Sequence, residues 1–149
     1  MPESLESVVE AAARVRASGR CLGYASGVFD LFHRGHLSFL RECKSRCDVL
    51  IIGVDTDALV RSRKGIERPR DPISRRIEAV LNSGFADLAF PKECSADNFI
   101  GRISPARYFI AEDKDFSPRR MAILSRIGVE LVLVPRTKGI STSDLLGRG

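Results

Sequence analysis

Residues 21–54, CLGYASGVFDLFHRGHLSFLRECKSRCDVLIIGV, decide the architecture. Cys21 to Ser26 is a short apolar run, and Val49 to Val54 is a second one, continuous enough to be buried on both faces of a sheet. Between them Leu37, Leu40 and Cys43 recur at helical spacing, which predicts a helix over His36 to Arg46. Strand, helix and strand in succession form the unit from which parallel sheets are built.

The alternation extends both ways. Leu5, Val8, Val9, Ala12 and Val15 predict an amphipathic opening helix over residues 3–18, stopped by Gly19. Downstream, helices are expected over 73–82, 96–103 and 118–127, and strands over 86–90, 108–111 and 130–134, with a closing helix from Thr142. The pattern predicts an α/β, Rossmann-like three-layer sandwich with a central, mainly parallel five-stranded sheet, whose ligands lie beyond the carboxyl ends of the strands. A chain of 149 residues fits a single domain, an N-terminal helix over 1–19 followed by a core over 20–146. Its ending in Gly147-Arg-Gly would also suit a domain excised from a longer chain.

Composition narrows the class. The chain is 44% apolar and 29% charged, as globular proteins are. No apolar run reaches the roughly 18 residues of a membrane span, and the acidic N-terminus lacks the pattern of a secretory signal, so a cytoplasmic protein without a membrane partner is expected. Cys21, Cys43, Cys47 and Cys94 form no CxxC pair. Cys43 and Cys47, four apart on one helix, could face a common metal or oxidise together, but reduced thiols are the default reading. A net charge of +5 points to anionic partners. With no Trp and two Tyr, the chain offers little surface for stacking bases, so small phosphorylated molecules are favoured over nucleic acid.

The chemistry concentrates in Gly27-Val-Phe-Asp-Leu-Phe-His-Arg-Gly-His36, where the first strand hands over to the next helix. It carries both histidines of the chain, His33 and His36, with Gly35 between them. Two imidazoles at a helix N-terminus, with a glycine that lets the backbone approach a ligand, suit a phosphate. Arg61 to Asp71 reads as a dense basic loop, a second candidate for function.

Residues 27–36 resemble the GxFDxxHxGH signature of the cytidylyltransferase-like nucleotidyltransferases. Arg136-Thr-Lys-Gly-Ile-Ser-Thr-Ser143 is similar to the RTxGISTT segment of glycerol-3-phosphate cytidylyltransferases. Lys64-Gly, Arg68-Pro-Arg-Asp-Pro and Arg76 resemble the KGxxRPxxPxxxR stretch of the nucleotidyltransferases that make activated heptose. The resemblance runs from Cys21 to Leu146.

It implies transfer of a nucleoside monophosphate from an NTP to a small anionic acceptor, with release of pyrophosphate and no protein nucleophile. CTP is the expected donor, and 2-hydroxyethylphosphonate or glycerol 3-phosphate the expected kind of acceptor, as in the cytidylyltransferase domain of a bifunctional phosphonate-antibiotic enzyme. ATP with heptose 1-phosphate is the alternative, and a nucleotide-binding module without turnover the second. By the same resemblance His33, His36 and Lys64 are catalytic. Gly27, Phe29, Asp30, Gly35, Asp113, Arg136, Gly139, Ile140, Ser141 and Thr142 bind the nucleotide, and Arg63 and Arg76 the acceptor. Mg²⁺ would be held through phosphate oxygens and water, and a homodimer is expected. One stretch departs: Ile110-Ala-Glu-Asp-Lys-Asp-Phe116 stands where the relatives have Gly-Asp-Asp or Gly-Gly-Asp, which places Glu112 at a small residue's position near the base.

Overall fold

The computed structural model describes residues 3–65 and 67–135. Its strands are β1 (Leu22–Gly27), β2 (Val49–Asp55), β3 (Leu88–Lys92), β4 (Arg107–Ala111) and β5 (Glu130–Val134), hydrogen-bonded in the order β3-β2-β1-β4-β5. Every neighbouring pair is parallel. The chain winds outward from β1 through β2 to β3, then returns to the other side of β1 as β4. That reversal leaves a crevice beyond the carboxyl ends of β1 and β4.

The helices are α1 (Leu5–Ala17), α2 (Arg34–Lys44), α3 (Asp57–Lys64), α4 (Ile73–Asn82), α5 (Ile100–Ile103) and α6 (Pro118–Arg126), with a 3-10 turn over Ala96–Asn98. The period of two along each strand separates two cores. Tyr24, Ile51, Phe90 and Tyr108 pack with Val8, Ala12 and Val15 of α1, Ile100 and Ile103 of α5 and Leu124 of α6. Ala25, Leu50, Ile52, Val54 and Phe109 pack with Leu40 and Cys43 of α2 and Ile77 and Val80 of α4 on the opposite face. This is the expected three-layer sandwich.

Several expected bounds move, each for a local reason. α2 begins at Arg34 rather than His36, because His33 serves as its N-cap. The strand expected over 86–90 runs from Leu88 to Lys92 and contains Pro91, which an edge strand tolerates because one side of its ladder is unpaired. The helix expected over 96–103 is interrupted at Phe99, splitting into the 3-10 turn and α5. The basic loop expected from Arg61 is helical as far as Lys64: Thr56 caps α3 by accepting from the Leu59 N–H at 3.2 Å, and Asp57 supplies an acid in the first turn. The expected helix from Thr142 lies outside the described residues.

All four cysteines are free thiols. Cys43 is buried in the α2 core, and burial raises its pKa well above the ordinary thiol range. Burial likewise raises that of Cys47, to about 12, and its Sγ lies 3.5 Å from the Cys43 carbonyl oxygen. Thiols held protonated in this way are poor nucleophiles and poor ligands. Among the described residues no helix is long and apolar enough to cross a membrane.

Candidate active site

A cleft of about 430 Å³ opens at the carboxyl ends of the strands. Gly27, Phe29, Asp30, His33, Gly35 and His36 line it from the β1–α2 turn, and Arg63 and Lys64 from the end of α3.

The two histidines are locked by the start of α2. The His33 Nδ1 accepts from the Gly35 N–H at 3.0 Å, and the His36 Nδ1 accepts from the His33 N–H at 3.2 Å. A ring nitrogen that accepts carries no proton, so each neutral imidazole keeps its hydrogen on Nε2. The rings stack with centroids 3.9 Å apart and planes 20° from parallel, and Phe29 packs edge-on against His36 at 5.5 Å. Two Nε2–H donors thus stand beside a helix N-terminus, an arrangement that favours a bound anion.

The turn leading into them is strained. Phe29 and Leu31 have φ of 55° and 49°, left-handed values that cost a side-chain-bearing residue of order 1–3 kcal/mol. Between them the buried Asp30 carboxylate accepts from the Arg70 N–H at 2.8 Å and the Asp71 N–H at 2.9 Å. The strained turn therefore anchors the segment that joins α3 to α4. A side chain at Gly27 would press on the Phe29 ring, 3.0 Å from an added Cβ.

Lys64 stands at the mouth of the cleft with Arg68 and Lys114. Partial burial, and then the charges of Lys114 and Arg68, hold its ammonium pKa below the ordinary lysine value. Arg63 reaches back to Asp55, 3.7 Å away.

Two expected site residues sit elsewhere. Arg76 is fully buried and does not reach the cleft. Its Nη1 donates to the Val28 and Asp55 carbonyls at 2.8 and 2.7 Å, its Nε to the Asp71 carbonyl at 3.0 Å, and its Nη2 to Asp57 Oδ1 at 2.6 Å. These contacts make it a brace between loops instead of a grip on an acceptor. Asp113 is exposed on the turn after β4, and it is Asp115, two residues on, that lines the cleft. Glu112, also exposed, donates its backbone N–H to the Val134 carbonyl at 2.8 Å. Arg136, Gly139, Ile140, Ser141 and Thr142 lie outside the described residues.

Residues that sequence reasoning passed over complete the cleft. Asp55 and Lys92, at the ends of β2 and β3, form a buried ion pair of 3.0 Å. Tyr108 accepts a hydrogen bond from Arg120 Nη1 at 2.7 Å, while the Arg120 Nε pairs with Asp97. A signal for the first pair was present, since a charge closing an apolar strand of a parallel sheet falls at the ligand edge. Among the described residues no group of three or more His, Cys, Asp or Glu side chains is placed to hold a metal ion.

Comparison with known proteins agrees with this geometry. The chain is 31% identical over 151 residues to the bifunctional protein HldE of Alkalilimnicola ehrlichii, covering 99% of this chain and 30% of that protein. It is 32% identical over 137 residues to the same-named protein of Nitrobacter winogradskyi, covering 89% and 28%. It thus spans somewhat under a third of the length of these curated relatives. A lipopolysaccharide core biosynthesis protein from Thermoplasma volcanium shares the fold with a TM-score of 0.68 and 22% identity, covering 82% of this chain and 100% of that one. Pantothenate synthetase from Thermus thermophilus shares it at 0.66 and 16% identity, covering 97% and 67%. Residues 24–148 match the Cytidylyltransferase-like family, and the chain, with its histidine pair at the crevice of a five-stranded parallel sheet, belongs to that family of nucleotidyltransferases.

Proposed function

We propose that the chain transfers AMP from ATP to the phosphate of a sugar 1-phosphate. An acceptor phosphate oxygen attacks the α-phosphorus of ATP, the bond from that phosphorus to its bridging oxygen breaks, and pyrophosphate leaves with the electron pair. Nucleotidyl transfer needs charge held in line more than it needs an acid or base. In this reading the Nε2–H groups of His33 and His36 donate to the α-phosphate as its charge grows. The start of α2 adds its dipole, Phe29 and Asp30 hold the turn in place, and Lys64 neutralises the leaving group. Arg63, Arg68 and Lys114 attract the triphosphate. Mg²⁺ would enter with the nucleotide, held by phosphate oxygens and water as its hydration favours, and would supply charge neutralisation.

The observation that carries this reading is the alignment of nearly the whole chain with bifunctional HldE proteins. The resemblance of Lys64 to Arg76 to the enzymes that make activated heptose points the same way. Together they favour ATP and a sugar 1-phosphate over the CTP and phosphonate or glycerol phosphate expected first. CTP-dependent transfer remains the second reading, favoured by the glycerol-phosphate-type segment Arg136 to Thr142. Pyrophosphate release measured with each of four NTPs against aldose 1-phosphates, glycerol 3-phosphate and 2-hydroxyethylphosphonate decides between them. ATP with an aldose 1-phosphate is the expected pair, CTP with either other acceptor would replace it, and no release with any pair would refute nucleotidyl transfer.

A further inference from the structure

The charges around the cleft fall into two groups. Lys64, Arg68 and Lys114 line one side, and among the described residues none of them forms an ion pair. Elsewhere in the cleft the two least exposed cations are each held by a carboxylate: Lys92 has Asp55 at 3.0 Å and Arg120 has Asp97, while the more exposed Arg63 and Arg119 stand farther from the same two acids, at 3.7 and 3.9 Å. The paired residues form a continuous strip along the sheet face that carries Tyr24 and Tyr108. Arg120 donates to the Tyr108 hydroxyl at 2.7 Å, and the Tyr108 and Tyr24 rings lie 5.3 Å apart. A Cβ added at Gly53 would meet both the Tyr24 hydroxyl, at 2.6 Å, and Lys92 Cδ, at 3.3 Å, so these two groups flank the same point of β2. Ser26, Asp55, Lys92, Tyr108 and Arg120 all line the cleft.

The two sides suit different ligands. Unpaired cations attract phosphate. The close pairs Lys92–Asp55 and Arg120–Asp97 each add little net field for an anion, yet they present donors and acceptors side by side at the cleft floor. Such a surface pairs with hydroxyls, each of which donates and accepts, and it rejects a ligand that would leave its buried polar groups unmatched. We infer that Asp55 and Lys92, with Tyr108, form a ring-hydroxyl subsite that makes this cleft select a polyhydroxylated acceptor over a simple phosphate or phosphonate. The inference rests on the proposed use of a sugar phosphate, but it concerns binding and can be tested without turnover.

Titration calorimetry on the whole chain, with aldohexose and aldoheptose 1-phosphates, inorganic phosphate and 2-hydroxyethylphosphonate as probes, provides that test. At least one sugar phosphate should bind about 10-fold or more tightly than inorganic phosphate, the worth of one or two net hydrogen bonds. Removing one charge of the buried pair would strand the other, so the pair is neutralised together as D55N/K92M, with Tyr108→Phe as an independent and milder variant. The double variant should bind the sugar phosphate about as weakly as inorganic phosphate, and Tyr108→Phe should lose part of the difference, while affinity for inorganic phosphate stays within about 2-fold in both. Should the double variant not fold, Tyr108→Phe alone carries the comparison. Wild-type protein that binds every sugar phosphate no better than inorganic phosphate overturns the inference, and so do folded variants that keep the full difference. Ring-dependent binding without pyrophosphate release would uphold the subsite and count against the proposed reaction alone.

Discussion

Replacing Arg76 by methionine separates a brace from a binding group. Methionine keeps much of the length and apolar volume, so the perturbation falls on the guanidinium. Three carbonyls, those of Val28, Asp55 and Asp71, lose donors at 2.7–3.0 Å. Asp57 loses its partner at 2.6 Å, but its side chain is 29% exposed and can turn to water. The loss therefore falls mainly on the carbonyls, at roughly 1–3 kcal/mol for each buried group left unsatisfied. Val28 and Asp71 are only partly buried and water can reach their carbonyls, so the sum falls to about 3–5 kcal/mol. In a domain of this size that corresponds to a fall of about 10 °C in Tm, readable by scanning calorimetry or urea titration. The same ring of bonds contains Asp30, which holds the N–H groups of Arg70 and Asp71, so Asp30→Asn and Arg76→Met should cost less together than the sum of their single effects. An unchanged Tm in Arg76→Met with a large rise in acceptor KM would refute the structural role and restore Arg76 as an acceptor ligand.

Other outcomes follow from the same contacts. His36→Ala should lower kcat by ~100- to 1,000-fold and, through loss of its cap to the His33 N–H, lower Tm by only a few degrees; wild-type turnover on the true substrate would remove His36 from the mechanism. Asp30→Asn replaces one acceptor by a donor facing an N–H, so trypsin should cut after Arg70 faster than in wild type, and an equal rate would show that the carboxylate does not anchor this segment. Lys64 has a folded-state pKa below that of the unfolded chain. Between these two values the unfolded chain binds more protons, so its contribution to apo stability grows as pH rises through that window. A triphosphate favours the charged form, so binding in the same window should take up a proton and weaken with rising pH. Calorimetry in buffers of different ionisation enthalpy measures the uptake, and Lys64→Met should abolish it.

Long-period features were legible in the sequence and tertiary ones were not. The apolar run Val49 to Val54 and the helical spacing of α1 specify element type, because burial on two faces or on one stripe leaves a periodicity that neighbours cannot disguise. The position of the histidine pair was equally readable, since strand end and helix start are both local. What failed depended on depth. An arginine twelve residues beyond Lys64 looks the same in sequence whether it faces a phosphate or four internal acceptors. Only the packing of α4 against the sheet puts Arg76 on the inside. Asp113 and Asp115 are likewise separated by the geometry of one exposed turn, which composition does not encode.

The residues missed altogether share a property that explains the omission. Asp55, Lys92, Tyr108 and Arg120 are far apart in sequence, Tyr108 is uncharged, and the charges cancel within pairs, Asp55 with Lys92 and Asp97 with Arg120, so neither a local pattern nor net charge draws attention to them. Parallel strands bring them together in two ways: Asp55 and Lys92 are in register at the carboxyl ends of β2 and β3, while Tyr24 and Tyr108, in register four residues earlier, extend toward the cleft on the same sheet face through the length of their side chains. The overall charge of +5 is a sum over the whole chain, to which a matched pair such as Asp55 and Lys92 contributes nothing. A sequence reading weighted by net charge therefore finds the cleft cations that lack a carboxylate partner and overlooks the buried pairs beside them, where, on the reading proposed above, selection among acceptors is built without repelling or trapping the phosphate.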